Sequence, residues 1–138
     1  MKIAVINGSL SNPSKTYLTT AYVVEYLESE FPEVDVSFID LKDYELVFCD
    51  ARDPDDYEGD TKEVIHIIRE ADAVLVGTPI YRGSLPGSLK NVFDIIPNDS
   101  LRGKVIGFIA TGGTYDHYLA IEHQLNPLAG YFKAHVIP

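Results

Sequence analysis

Cysteine, tryptophan and basic residues are scarce in this sequence. Its 138 residues include one cysteine, no tryptophan, and 11 lysines and arginines against 21 aspartates and glutamates. A single cysteine excludes a disulfide framework and an iron–sulfur cluster, which needs about four cysteines. We expect Cys49 to be a small buried apolar residue. The net charge of −10 argues against binding of nucleic acid, which requires clustered lysine and arginine.

Long apolar runs are absent as well. The longest, around residues 73–77, falls far short of the roughly 20 residues that span a bilayer. Met1 and Lys2 lead directly into an apolar stretch, with neither the basic segment nor the cleavage site of a secretory signal. We therefore predict a cytoplasmic protein with no membrane partner. The length and the 46% hydrophobic content suit one domain, which we expect to cover residues 1–138.

Apolar runs rich in β-branched residues alternate with amphipathic stretches, which is typical of a parallel sheet with helices on both faces. The predicted strands are Lys2–Asn7, Val34–Asp40, Ala73–Gly77, Lys104–Ala110 and Ala134–Ile137. The predicted helices cover residues 14–30, 61–71, 86–96 and 118–132. The second helix is predicted to begin with a capping box of Asp60 and Glu63. The expected apolar side of the first helix is Leu18, Ala21, Val24, Leu27 and Phe31.

A polar loop with one glycine follows the first predicted strand. Its hydroxyl groups and its cation lie just before and within the start of the first helix, at Ser9, Ser11, Ser14, Lys15 and Thr16. Together with the amides that open the helix, these groups suit an anion such as a phosphate. The alternative is a polar turn in which serine only caps the helix. Neither a P-loop nor a G-x-G-x-x-G sequence occurs, so we do not expect the phosphates of ATP or of a dinucleotide here.

A second loop follows the third predicted strand, where a sheet of strand order 2-1-3-4-5 reverses its winding and leaves a crevice. Its residues are Pro79, Ile80, Tyr81, Arg82, Gly83 and Ser84. Tyr81 offers a flat face with a polar tip, and Gly83 permits close approach of the backbone, which suits a planar heterocycle. The alternative for Tyr81 is an aromatic side chain that packs on the protein surface. Arg82 could instead pair with an acidic neighbour or with the phosphate of a dinucleotide.

The third loop, after the fourth predicted strand, is rich in glycine. It runs through Thr111, Gly112, Gly113 and Thr114, and His117 follows at the start of the fourth helix. Exposed amides at this position stabilise negative charge on the pyrimidine end of a reduced flavin. Taken together, the three loops predict a site for flavin mononucleotide (FMN). His117 is either part of this site or an ordinary surface histidine.

These residues and their spacing resemble the NADPH-dependent FMN reductase family of flavodoxin-like proteins. The resemblance covers nearly the whole chain, from Gly8-Ser9 through Thr78–Tyr81 to Ala110–Gly113. It implies an α/β fold with a doubly wound, five-stranded parallel sheet. It also implies flavin contacts for the loop residues named above, including His117.

Within the family, three segments look most like the reductase components of two-component alkanesulfonate monooxygenase systems: 94–97, 101–104 and 114–120. Such components use NADPH to reduce FMN and release it to a flavin-dependent monooxygenase. Two positions depart from the relatives. Ser11 stands where many relatives have arginine, and His123 stands where this subgroup has an inserted tyrosine, in a π-bulge at a subunit interface.

We predict an NAD(P)H:flavin oxidoreductase that transfers hydride from NADPH or NADH to FMN. Hydride transfer between stacked rings requires no acid or base from a side chain, so no catalytic residue is assigned. The alternatives are an electron carrier that keeps FMN bound and a flavoprotein that reduces a quinone, an azo dye or a metal ion. The lack of tryptophan argues against the carrier, since carriers enclose a permanently held ring with aromatic residues.

The acidic stretch 50–60 precedes the second helix. It has neither the glycine nor the closing glutamate that a calcium-binding loop requires at fixed positions. We therefore expect a solvated loop and no metal site.

The sequence ends at Val136-Ile-Pro138, shortly after the last predicted strand. A doubly wound sheet of this order normally has a fifth helix there, on the face that the first helix covers. Without that helix, an apolar patch on the order of several hundred Å² is exposed. We therefore expect either a homodimer or homotetramer, with the 118–132 helix at an interface as in the family, or a natural chain that continues past residue 138.

Overall fold

One parallel sheet organises the described residues, which are 1–114, 117 and 119–137 of the computed structural model. Its five strands are β1 (Lys2–Asn7), β2 (Asp35–Asp40), β3 (Ala73–Pro79), β4 (Val105–Thr111) and β5 (His135–Val136). They lie in the order β2-β1-β3-β4-β5, which confirms the flavodoxin-like α/β fold. β3 and β4 extend past their predicted ends, so that Pro79 and Thr111 pair with each other instead of lying in loops.

Helices pack on both faces of the sheet. They are α1 (Lys15–Glu30), α2 (Gly59–Glu70), α3 (Gly87–Ile95) and α4 (Asn126–Tyr131), with a 3₁₀ turn at Pro54–Asp56 and a π-helical segment at Ile121–Leu125. The described residues of the predicted fourth helix are helical at 119–131, and the π-helical turn at Ile121–Leu125 interrupts the regular α-helix before α4. Tyr118, where the sequence predicts the start of that helix, lies outside the described residues. None of the described helices has the length and apolar character needed to cross a membrane.

The main core lies between the sheet and helices α2, α3 and α4. Alternate strand residues contribute to it, such as Ala4 and Ile6 of β1 and Val74 and Val76 of β3. The helix side chains in this core include Val64, Ile68, Leu89, Phe93 and Ala129. Burial of this face fixes the register of the strands, and the register positions the loops at their carboxyl ends.

α1 packs on the opposite face through threonines instead of the predicted apolar side. Thr16 and Thr20 are buried, whereas Leu18 is 65% and Phe31 is 42% exposed. The reason is Gly77 in β3, where a Cβ would lie 2.3 Å from Thr20 Cγ2, so that helix and strand approach closely. The prediction is therefore wrong at both ends of the helix. The half-buried members of the predicted side are Ala21, Val24 and Leu27.

The start of α2 also differs from the prediction. The helix begins at Gly59 after Glu58, whose side chain makes no capping hydrogen bond. Asp60 lies inside the first turn, and its carboxylate accepts a hydrogen bond from the Glu45 amide at 2.7 Å. The capping box of Asp60 and Glu63 is therefore wrong, because the long loop before α2 uses the Asp60 carboxylate instead.

Cys49 is half-buried, in contrast to the full burial expected. Its thiol donates to the Asp94 carbonyl at 3.3 Å, and its amide donates to Asn91 Oδ1 at 2.8 Å. Both contacts join the loop before α2 to α3 and its end. Cys49 therefore makes two hydrogen bonds in addition to packing against the apolar core.

Candidate functional site

The three predicted loops leave the same edge of the sheet. Parallel pairing places Asn7 beside Gly77 and Pro79 beside Thr111, so that β1, β3 and β4 end side by side. The loops that follow these strands therefore begin within a few ångströms of one another, since neighbouring strands lie about 4.8 Å apart.

Two hydrogen bonds between side chains join the loops directly. The hydroxyl oxygens of Ser11 and Tyr81 are 2.7 Å apart, which links the first loop to the second. The hydroxyl oxygens of Thr16 and Thr111 are 2.6 Å apart, which links the start of α1 to the end of β4. The structure thus brings together positions that are 70 and 95 residues apart in the sequence.

A buried amide at the end of β1 supports the first loop, and the sequence reasoning missed it. Asn7 is fully buried, and its Nδ2 donates to Asp40 Oδ1 at 2.9 Å and to the Ser9 carbonyl at 3.2 Å. Its Oδ1 accepts from the Ser9 amide at 3.2 Å. The sequence does contain a sign of this pair, because Asn7 and Asp40 are polar residues that each end an apolar strand. In the structure they lie beside each other on neighbouring strands.

The serines of the first loop also bond to the backbone. The Ser9 hydroxyl accepts from the Ser11 amide at 3.2 Å. The Ser14 hydroxyl accepts from the Tyr17 amide at 3.1 Å, which makes Ser14 the N-cap of α1. An accepting hydroxyl keeps its own proton, so Ser9 and Ser14 can still donate to an anion.

The start of α1 provides positive potential beside these hydroxyls. Lys15 is exposed at the first helical position, and Thr16 follows it, nearly fully buried. The amides of the first turn of a helix have no acceptor within the helix, and the helix dipole is positive at this end. The first loop is therefore suited to an anion.

Tyr81–Ser84 form a tight turn after β3. The Tyr81 amide donates to the Ser84 carbonyl at 2.8 Å, and the Ser84 amide donates back to the Tyr81 carbonyl at 3.1 Å. The central residues Arg82 and Gly83 have φ angles of +53° and +79°, as a type I′ turn requires. This left-handed conformation is unfavourable for Arg82. Half-buried Ile80 connects β3 to the turn, and the Tyr81 side chain is 41% exposed.

Gln124, in the π-helical segment, contacts this turn at two points. The Ser84 hydroxyl donates to Gln124 Oε1 at 2.5 Å, and Gln124 Nε2 donates to the Gly83 carbonyl at 2.9 Å. Gln124 is not among the residues predicted from the sequence to form the site. No local signal was available, because a π-helical turn does not follow the periodicity of an α-helix.

The third loop places His117 against glycine. Gly112, Gly113 and Thr114 are exposed, and the Thr114 carbonyl accepts from the His117 amide at 3.3 Å. A Cβ on Gly112 would lie 2.7 Å from His117 Cβ and 2.9 Å from Nδ1, so only glycine fits beneath this ring. His117 Nδ1 is buried and has no hydrogen-bond partner in the described part of the chain.

His123 lies in the π-helical segment, at the position where the resemblance implies a π-bulge. The Asn126 amide donates to the Ile121 carbonyl, which is the i→i+5 bond of a π-helix. The His123 side chain is exposed. The bulge is thus confirmed, and its place at a subunit interface stays a prediction.

The acidic stretch before α2 is organised by its own arginine. Arg52 donates from Nε and Nη2 to the carboxylate of Asp50, which lowers the Asp50 pKa from 3.8 to about 2. Arg69 of α2 pairs with Asp55 at 2.8 Å. Among the described residues, no group of three or more histidine, cysteine, aspartate or glutamate side chains is arranged to hold a metal ion.

The whole chain, residues 1–138, matches the NADPH-dependent FMN reductase family. The chain belongs to this family. It is 47% identical to an NAD(P)H-dependent FAD/FMN reductase of Geobacillus thermodenitrificans, over all of this chain and 74% of the relative. It is 35% identical to the NADH-dependent FMN reductase SfnF of Pseudomonas putida, again over all of this chain and 74% of the relative. The apo structure of the NADH:FMN oxidoreductase EMOB aligns with a TM-score of 0.84 and 30% identity, over 99% of this chain and 72% of that one.

Membership in this family makes the protein an NAD(P)H-dependent flavin oxidoreductase that uses FMN. The residues at the edge of the sheet fit such a group. The start of α1 suits the phosphate, and the buried His117 Nδ1 has no hydrogen-bond partner among the described residues. A Cβ on Gly83 or Gly113 would meet no atom of the described residues within 4 Å, so both backbones are open to a ligand.

Proposed function

We propose that the three loops bind FMN and that hydride passes to it there from NADPH or NADH. The observation that carries this proposal is the junction of the loops. The Ser11–Tyr81 and Thr16–Thr111 hydrogen bonds bring a positive helix start, an exposed tyrosine turn and a glycine-rich loop to one edge. When bound, FMN supplies the ring that accepts hydride.

The first loop binds the phosphate in this proposal. Ser9, Ser11 and Ser14 donate from their hydroxyls, and Lys15 adds a full positive charge. Thr16 contributes its backbone amide, because its side chain is buried against Thr111. Ser11 is exposed, and its hydroxyl can donate to the phosphate while it accepts from the Tyr81 hydroxyl. Bonds of this kind to a charged group are stronger than bonds between neutral groups.

The second and third loops contact the flavin ring. Pro79 and Ile80 lead the chain to the turn, where Tyr81, Arg82, Gly83 and Ser84 line one side of the ring. Thr111, Gly112, Gly113 and Thr114 carry the amides for its pyrimidine end, where negative charge develops on reduction. His117 offers Nδ1, which has no hydrogen-bond partner in the part of the chain that the structure describes.

Titrations with FMN and riboflavin test this assignment. Loss of the phosphate removes charge-assisted bonds worth about 1.5 to 3 kcal/mol each, so riboflavin is expected to bind at least tenfold more weakly. Binding is followed by quenching of flavin fluorescence, and oxidation of NADPH or NADH by absorbance. Equal affinity for the two flavins would overturn the phosphate assignment, and no oxidation of either nucleotide would overturn the reaction.

We also propose that reduced FMN leaves the protein for a flavin-dependent monooxygenase. The resemblance of segments 94–97, 101–104 and 114–120 to reductase components supports this proposal. With catalytic amounts of protein, NADPH oxidation is expected to rise and saturate as free FMN is added. A rate independent of added FMN but dependent on a quinone or an azo dye would favour a reductase that retains its flavin.

We further propose that the protein assembles as a homodimer or homotetramer through the region of α4. Leu119 is 41% and Tyr131 is 63% exposed on the two sides of the π-helical segment. Large apolar side chains that are exposed to this extent are suited to contacts between subunits.

A further inference from the structure

Gln124 uses both ends of its side-chain amide on one turn. Nε2 donates to the Gly83 carbonyl at 2.9 Å, and Oε1 accepts from the Ser84 hydroxyl at 2.5 Å. A carboxamide is the group that donates and accepts side by side in this way. The two contacts span 41 and 40 residues of sequence, so they join the π-helical segment to a distant element.

The turn itself has little intrinsic stability. Tyr81, Arg82 and Gly83 are exposed, and Arg82 is in the left-handed region. A short hairpin of this size is marginal in water without contacts to other elements. Among the described residues, the side-chain hydrogen bonds that hold it are the Tyr81 bond to Ser11 on one side and the two bonds of Gln124 on the other.

We propose that Gln124 is a positioning residue for flavin binding, which holds the Tyr81–Ser84 turn in the conformation that contacts the ring. Flavin affinity then depends on the π-helical segment, and flavin binding orders that segment in return, because coupling between sites is reciprocal. This proposal rests on the assignment of the turn to the flavin site. Gln124 itself does not touch the reacting atoms.

The conformation of the turn is tested first without flavin. Trypsin cleaves after arginine, and Arg82 is exposed at the tip of the turn. Gln124→Ala is expected to speed cleavage of the bond between Arg82 and Gly83, because an opened turn is more available to the protease. Mass spectrometry of the fragments follows this bond alone.

Asn126→Ala is the matched control for this measurement. Asn126, two residues from Gln124, donates to Glu122 Oε2 at 3.1 Å and makes no hydrogen bond to the turn within the described residues. Its removal is expected to leave cleavage at Arg82 unchanged. Equal cleavage of the wild-type protein and Gln124→Ala would overturn the proposal, as would equal acceleration by both variants.

Flavin affinity is tested next, with circular dichroism to show that each variant is folded. Gln124→Ala is expected to raise the Kd for FMN about five- to tenfold, as the loss of roughly one net hydrogen bond predicts. Gln124→Glu has the same shape, but its carboxylate has no proton for the Gly83 carbonyl. Its Kd is therefore expected to match that of Gln124→Ala at pH 8 and to approach the wild-type value at the same pH as the pH falls to about 4, where a glutamate carboxyl is largely protonated.

The outcomes separate this proposal from the function on which it rests. A wild-type protein that binds no FMN overturns the assignment of the site, and this proposal with it. If the wild-type protein binds FMN and Gln124→Ala has the same Kd for FMN, only the role of Gln124 is overturned. The same holds if the Kd of Gln124→Glu, relative to the wild-type value at each pH, does not change with pH.

Discussion

A single missing side chain sets the distance between α1 and the sheet. A Cβ on Gly77 would lie 2.3 Å from Thr20 Cγ2 and 3.2 Å from Thr16 Cγ2. Both threonines are buried and have stiff side chains, so neither can move aside easily. Gly77→Ala is therefore expected to lower the free energy of unfolding by about 1–3 kcal/mol, as measured by urea denaturation.

Two further variants identify the cause of that loss. A Cβ on Gly130 in α4 would meet no atom of the described residues within 4 Å, so Gly130→Ala is expected not to destabilise the protein. Thr20→Ser removes Cγ2 and keeps the hydroxyl that donates to the Thr16 carbonyl at 3.0 Å. Added to Gly77→Ala, it is expected to restore part of the lost stability. An unchanged urea midpoint for Gly77→Ala would show that the close contact does not limit packing.

Arg52 controls the acid titration of the loop before α2. Its hydrogen bonds hold the Asp50 pKa at about 2, below the usual 3.8. Because the folded value is the lower one, the pair contributes stability above about pH 4, and this contribution is lost as the pH falls from about 4 to 2. In Arg52→Gln, the Asp50 pKa is expected to return toward 3.8, as followed by NMR of the side-chain carboxyl. Arg69→Gln, which breaks a different pair, is the control, and an equal shift in both variants would contradict this origin.

At the scale of the element, the start of α1 has a structural and a proposed functional role. Ser14 caps the helix through its bond to the Tyr17 amide, and Ser14→Ala is expected to cost about 1 kcal/mol of stability. Ser14→Asp keeps the cap, since aspartate is an equally good N-cap, but it places a negative charge beside the proposed phosphate site. This variant is expected to keep wild-type stability while it binds FMN at least about tenfold more weakly through repulsion between the charges.

Riboflavin is the internal control for Ser14→Asp. It has no phosphate, so its affinity is expected to be the same for the variant and the wild-type protein. If Ser14→Asp binds FMN as the wild type does, the first loop holds no phosphate and Ser14 is a cap alone.

At the scale of the whole molecule, the proposed assembly predicts a mass of two or four chains in light scattering. Tyr131→Glu places a charge on the exposed surface of α4 and is expected to lower that mass, because a buried, unpaired charge disfavours an interface. Tyr26→Glu on α1, at a position that is 50% exposed, is the matched control and is expected to leave the mass unchanged. A wild-type protein with the mass of one chain would contradict the assembly.

The sequence by itself determined the strands, the helices and the three loops of the candidate site. β1 matches its prediction at both ends, and the strand order is the predicted one. This succeeds because strands buried on both faces must be almost continuously apolar, and the polar segments that follow them can only leave at the carboxyl edge. The π-helical segment around His123 was found through the resemblance and not through periodicity.

Only the tertiary structure decided which side chains meet. It selected Thr16 and Thr20 for the contact with the sheet, paired Asn7 with Asp40, and placed Gln124 on the Tyr81–Ser84 turn. Each of these contacts depends on the distance between elements that are far apart along the chain. Local periodicity predicts which residues of an element are buried, but it does not predict which residues of other elements they contact. The contacts that support the candidate site therefore depend on how the elements pack in three dimensions.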